Sequence, residues 1–136
     1  MTELPVSLSR CREELSHSQR DVRALAAERL GGITDPQSVP LLCRALQDED
    51  WSVRAAAAKV LCLVGDDRVV LPLIQVISDP NWTVRPQAVE TLGHIGDPRA
   101  VPALTAALAA DNWLVRSAAA RAMGLIGGTQ ALDALR

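Results

Sequence analysis

The side chains in this chain that could break covalent bonds or hold a metal are few: three cysteines, Cys11, Cys43 and Cys62, and two histidines, His17 and His94. The cysteines are odd in number, show no C-x-x-C spacing and have no histidine nearby in sequence, so they compose neither a disulfide framework nor a zinc site. A thiol nucleophile needs a neighbouring Lys or His to hold it as thiolate, and none stands beside these, so they read as inert, reduced thiols. Neither histidine belongs to a metal-binding pair: Ser18 follows His17 and Ile95 follows His94. No metal or other cofactor is called for, and His94 is left as a hydrogen-bonding or merely solvated group. Two other sets have chemical potential. Arg23, Arg54, Arg85 and Arg116 could form an anion-binding row, and Trp51, Trp82 and Trp113 could anchor an interface, because Trp offers a large rigid surface with one polar handle.

Both sets recur every 31 residues, and that period decides how the chain is built. Each of the four arginines follows a valine: Val22, Val53, Val84 and Val115. Ala26, Ala57, Ala88 and Ala119 keep the spacing, as do Leu30, Leu61, Leu92 and Met123, and Leu42, Leu73, Leu104 and Leu135. Within one unit Val53, Ala57, Leu61 and Val64 fall on one face of a helix, predicted over 51–63 and called helix B; Val39, Leu42, Ala45 and Leu46 mark a preceding helix A over 38–47. Pro40 and Pro102 are tolerated in the first turn of helix A, where no internal N–H bond is lost. Asp50, Asn81 and Asn112 stand at the N-caps of helices B. Val64-Gly65-Asp66 and Ile95-Gly96-Asp97 supply stops, and Asp35-Pro36 and Asp97-Pro98 forbid continuation.

Two short helices cannot bury their apolar stripes alone, so successive pairs must stack into one core. The expected fold is all-α, a right-handed α-α superhelix of about four two-helix repeats, in one domain over 1–136 with pairs near 5–32, 36–63, 67–94 and 98–125. Leu8, Cys11 and Leu15 would be the core of a first helix A spanning 5–18, and 129–136 would begin a fifth repeat with Ala131, Leu132 and Leu135 inward. The array then reads as cut rather than capped: an N-terminal piece of a longer solenoid, or one whose Leu132 and Leu135 drive an end-to-end homodimer.

Composition narrows the function. The core must be aliphatic, since 49% of residues are apolar yet Phe and Tyr are absent and Trp occurs only three times. A formal charge of −2 argues against a partner held mainly by charge, such as nucleic acid or an anionic membrane. No apolar run reaches the roughly 20 residues of a membrane span, and residues 1–12 lack the apolar stretch of a signal peptide, so a cytoplasmic location is expected.

The pattern D-P-x-x-V-P-x-L-x-x-A-L followed by W-x-V-R-x-x-A-A-x-x-L-G-x-I-G, clearest from Asp97 to Leu108 and from Trp113 to Gly127, resembles HEAT-like repeats of the phycobilisome-lyase type over nearly the whole chain. Pro86, inside the third helix B, departs from it and would shift or kink that helix start; Cys62 and Leu63 replace the usual Gly-x at a helix end. The resemblance implies a HEAT/armadillo-type solenoid with helices A outside and helices B lining a concave face. It also implies a second role for the arginines: with Asp48 and Asp79 six positions before Arg54 and Arg85, Arg23, Arg54, Arg85 and Arg116 would join an internal Asp-Arg ladder. Catalytic relatives fit poorly. A HEAT-type DNA glycosylase would need a basic groove, and a HEAT-type deoxyhypusine hydroxylase would need paired His-Glu metal motifs.

Removing the buried positions leaves an exposed stripe on each helix B: Trp51, Ala55 and Lys59; Trp82, Pro86 and Glu90; Trp113, Ser117 and Arg121, with His94 close by. The expected function is a non-catalytic scaffold that binds another protein on this concave face, the Trp residues either gripping the partner or packing over the inter-helix loops. The resemblance alone implies the alternative of a bilin lyase subunit or phycobiliprotein-handling factor.

Overall fold

The computed structural model describes residues 8–33, 35–64 and 67–134, with side chains as far as residue 128. Among the described residues there are helices and no strand: α1 (Leu8–Glu14), α2 (Arg20–Leu30), α3 (Ser38–Ala45), α4 (Trp51–Val64), α5 (Val70–Val76), α6 (Val84–Ile95), α7 (Val101–Ala107) and α8 (Trp113–Ala134). Odd-numbered helices are the short A members of each pair and even-numbered helices the B members. Pro40, Pro72 and Pro102 all fall in the first turn of an A helix, and single 3-10 turns at Asp67–Val69 and Pro98–Ala100 lead into α5 and α7. The first helix A is described only from Leu8; the expected start at residue 5 lies outside the described residues.

The repeating apolar positions form one continuous core. Ala26, Ala57, Ala88 and Ala119 are fully buried, as are Leu30, Leu61 and Leu92 and the A-helix residues Leu42, Leu73 and Leu104. B helices pack most extensively on each other, α2 on α4, α4 on α6 and α6 on α8, whereas A helices touch mainly their own partner. Small residues permit that approach. A Cβ on Gly31 would lie 2.8 Å from the Val60 Cβ, and one on Gly93 would lie 2.7 Å from the Ala122 Cα. Between these two contacts the Thr91 hydroxyl donates across to the Ala58 carbonyl at 2.6 Å. The closer spacing of the B layer curves the superhelical stack towards it.

Polar side chains fix the turns. Asp50, Asn81 and Asn112 each accept from a backbone N–H two residues on, those of Ser52, Thr83 and Leu114. The Ser52 hydroxyl also donates to Asp50 and, with the Ser52 amide and Arg20, holds that carboxyl below the usual Asp range; Arg99 does the same for Asp97. Gly96, at φ 76°, closes α6 in the left-handed region, and Asp97 then accepts from the Arg99 amide. Gly65 and Asp66 lie outside the described residues.

Arginines cross-link successive repeats. Arg23 donates from Nε and Nη2 to the two oxygens of Asp48, at 2.9 and 3.2 Å, and Arg54 likewise to Asp79, at 2.6 and 3.1 Å. Each also reaches back from Nη1 to the carbonyl six residues earlier, that of His17 or Asp48. Asp48 and Asp79 each accept in addition from a backbone amide, that of Asp50 or Asn81. In the first repeat the same job falls to His17, whose Nδ1 accepts from the Gln19 amide. The fourth repeat has Ala110 where the aspartate would stand.

Two boundaries differ from their neighbours. α6 begins at Val84, two residues later in the repeat than α4 and α8, which places Pro86 in its first turn, where the missing N–H costs no helical bond. α8 runs unbroken through Gly127 and Gly128 to Ala134, so the expected break before a fifth helix A is not there. Glycine in a helix costs only about 1 kcal/mol, and no Asp-Pro pair follows to force a stop as Asp97-Pro98 does after α6. The side chains of Leu132 and Leu135, on which an end-to-end dimer would rest, lie outside the described residues.

Two predictions follow from this packing. Gly93→Ala should cost about 1–3 kcal/mol in urea unfolding, because its methyl meets the α8 backbone. Gly124→Ala, with nothing within 4 Å of the added carbon, should be stabilising by about 1 kcal/mol; equal urea midpoints for the two variants would contradict the close approach of α6 and α8. Arg54→Ala should cost about 3 kcal/mol, since it strands Asp79, a carboxylate only 7% exposed, whereas Arg116→Ala, which loses only carbonyl partners at an exposed site, should change stability little.

Candidate interaction surface

The exposed side of the B layer is where the repeats bring polar and apolar groups together without burying them. The position held by Glu28, Lys59, Glu90 and Arg121 alternates in charge from repeat to repeat, and the Arg121 Nη2 lies 3.3 Å from the Glu90 Oε1. One turn further on, Leu63, His94 and Leu125 occupy equivalent positions, the two leucines 75% and 48% exposed. Such leucines are not made necessary by the core.

These residues frame two adjoining cavities that cross three B helices. One, of about 400 Å³, lies between α6 and α8 and is lined by Glu90, His94, Ala118, Arg121, Ala122, Gly124 and Leu125. The other, of about 360 Å³, lies between α4 and α6 and is lined by Lys59, Val60, Cys62, Leu63, Gln87, Glu90, Thr91 and His94. Glu90 and His94 belong to both. The His94 Nδ1 is 2.9 Å from the Glu90 carbonyl, which can only accept, so Nδ1 carries a proton and donates to it, and the ring stands at the exposed surface. The groove can thus offer an imidazole, a carboxylate and two cations, Lys59 and Arg121, between apolar lips.

The tryptophans stand elsewhere. Trp51 and Trp113, the first residues of α4 and α8, and Trp82, two residues before α6, are 42%, 65% and 43% exposed, stand towards the opposite ends of these helices and line neither cavity. Trp82 is about three helical turns from His94, and its ring lies beneath the Arg85 guanidinium, 4.2 Å from centroid to carbon. Ala55, Pro86 and Ser117 are half-buried between the two ends. Of the stripe read from sequence, the structure brings Lys59, Glu90, His94 and Arg121 together and sets the Trp residues apart. Leu63, Leu125, Gln87 and Thr91 were missed; the signal available was the recurrence of large apolar groups at 63 and 125, on the side of the helix turned away from the core.

Covalent chemistry finds little support here. Burial, then the Glu90 charge, pushes the Cys62 thiol above its ordinary value, and burial, then Glu14, does the same to Cys11. Both are therefore protonated and poor nucleophiles at neutral pH. Among the described residues no three His, Cys, Asp or Glu side chains stand close enough to hold a metal ion, and no helix is long and apolar enough to cross a membrane.

Comparison with known proteins agrees with this architecture. The sequence model of the family described as HEAT repeats matches residues 9–73 and again 70–136. No curated protein sequence matches significantly. Among solved structures, the chain is similar to the complex of CpcE and CpcF of phycocyanin lyase from Nostoc, with TM-score 0.81 and 25% identity over 98% of this chain and 58% of that one. It is also similar to human deoxyhypusine hydroxylase in complex with glycerol, with TM-score 0.79 and 23% identity over 90% of this chain and 44% of that one. An engineered protein aligns with TM-score 0.69 and 20% identity over 87% of this chain and 61% of its own. The chain thus spans about half the length of the first two. The last two likenesses, under 25% identical, concern the fold alone. With the two sequence matches together spanning residues 9–136, the chain belongs to the HEAT-repeat family.

Proposed function

We propose that this chain is a non-catalytic scaffold that binds another protein on the concave surface of its B helices, with the contact centred on Glu90 and His94. The observation that carries the reading is the pair of adjoining cavities on either side of those two residues, bordered by exposed Leu63 and Leu125. Apolar lips supply contact area that is excluded from water on binding, and the alternating charges set orientation and association rate more than affinity. Along the B layer Glu28 and Glu90 offset Lys59 and Arg121, and a surface so mixed in sign favours neither nucleic acid nor an anionic membrane. Free cysteines are in keeping with a cytoplasmic location.

The test is affinity capture from the source lysate with three folded baits: wild type, a Leu63→Asp/Leu125→Asp variant, and a Trp51, Trp82 and Trp113 triple Ala variant. The doubly charged groove should weaken capture by about 2 kcal/mol, roughly thirtyfold, with the helical circular dichroism unchanged. Loss in the Trp variant alone would move the contact to the other ends of the helices, and retention by all three baits would remove it from the B layer.

A second reading rests on the likeness to the CpcE and CpcF complex, which extends over nearly all of this chain. Under it the groove would present a bilin to a partner's cysteine, the chain's own Cys62 being protonated. Titrating the protein with biliverdin decides this: the reading predicts a saturable shift of the visible absorption band together with a gain in fluorescence, and an unchanged spectrum excludes it.

A further inference from the structure

The Asp-Arg ladder lacks one rung, and the space where it belongs is open. Between the first and second repeats, and between the second and third, an arginine fork closes on an aspartate. Between the third and fourth, Ala110 replaces the aspartate, and among the described residues no carboxylate pairs with Arg85. The Arg85 Nε turns to the Asp79 carbonyl, and the guanidinium lies on Trp82. The Asn112 amide is the counterpart of the amides of Asp50 and Asn81, which donate to Asp48 and Asp79, and it too has no carboxylate at 110 to receive it.

The substitution is not compensated by larger neighbours. Ala103, Ala106 and Ala110 stand where the preceding repeat has Pro72, Gln75 and Asp79, so three side chains shrink together. What results is a cavity of about 340 Å³ between the A helices of the third and fourth repeats, with Arg85 on one wall and Ile74, Ile77, Ala103, Ala106 and Ala110 among the others. It is separate from the groove on the B layer. We infer that this cavity receives a carboxylate from outside the chain, the side chain of an Asp or Glu on a protein partner, which completes the rung in trans with Arg85 and the Asn112 amide. A guanidinium fork matches a carboxylate in two parallel hydrogen bonds, as the two complete rungs of the same protein show. The apolar walls and the size of the space suit an acidic side chain with its flanking residue better than a small free acid, which would leave those walls wet.

The probes are a blocked Asp-Leu dipeptide, its Asn-Leu counterpart and acetate, titrated while the Arg85 Nε–H and Asn112 amide signals are followed by NMR. The inference predicts saturable shifts of both signals with the Asp dipeptide and affinity about tenfold or more weaker for the Asn form and for acetate. Ala110→Asp should fill the site from within, raise the melting temperature and abolish the shifts. Absence of saturable shifts with the Asp dipeptide, equal affinity for acetate, or binding that survives Ala110→Asp would each overturn the inference. Should Ala110→Asp fail to fold, Arg85→Gln takes its place: lost binding is expected, and retained binding overturns the proposal.

Discussion

The distance at which neighbouring B helices pack governs the whole molecule. A two-helix repeat of this size has too little interior to stand alone, so its stability comes from the face it shares with the next repeat. That face closes because the residues meeting across it are matched in size: Gly31 lies against Val60, and Gly93 against Ala122. The A helices have no such contact with one another. The stack therefore tightens on one side, and the surface residues of the B layer are drawn towards each other.

The ladder of arginines complements this packing. Apolar burial is non-directional and tolerates sliding, whereas a bidentate fork to a carboxylate largely withdrawn from water holds one register. Each aspartate also ties its own loop through a backbone amide, so the turn between helices A and B and the seam between repeats are fixed by the same side chain. With core and ladder engaged in holding the repeats, two exposed features stand out among the described residues: the open face of the B layer and the seam between the third and fourth repeats, where the ladder is incomplete. Both are defined by departures from the repeat: Leu63 and Leu125 around His94 in the first case, Ala110 in the second.

Much of this was legible in the 31-residue period. Val53, Ala57 and Leu61 announced helix B by spacing alone, and Asp50 and Asn112 announced its start in α4 and α8, whereas α6 begins later, at Val84, with Thr83 and not Asn81 at its N-cap. An Asp-Arg ladder was implied by the resemblance to HEAT-like repeats, but which partners meet, Arg54 with Asp79 of the next repeat, is visible only in the folded stack. Other features were hidden for physical reasons. Periodicity states which face of a helix a residue occupies and not how neighbouring helices shape the space beside it, so the stripe from Trp82 to Glu90 looked like one surface while the cavities formed at only one end. The long α8 was hidden because Gly127 and Gly128 resemble a stop, and only the lack of a following Asp-Pro distinguishes them from Gly96. Ala110 was visible as an interruption of the aspartate series, but the open space around it depends on Ala103 and Ala106 packing beside it.

The proposed recognition surface is the concave B layer around Glu90 and His94. The most direct measurement is hydrogen–deuterium exchange of the chain alone and in complex with its captured partner, read segment by segment. Slowed exchange concentrated in the C-terminal halves of α4 and α6 and the middle of α8 is the predicted result. Slowed exchange confined to α3, α5 and α7 would contradict it and move recognition to the outer layer.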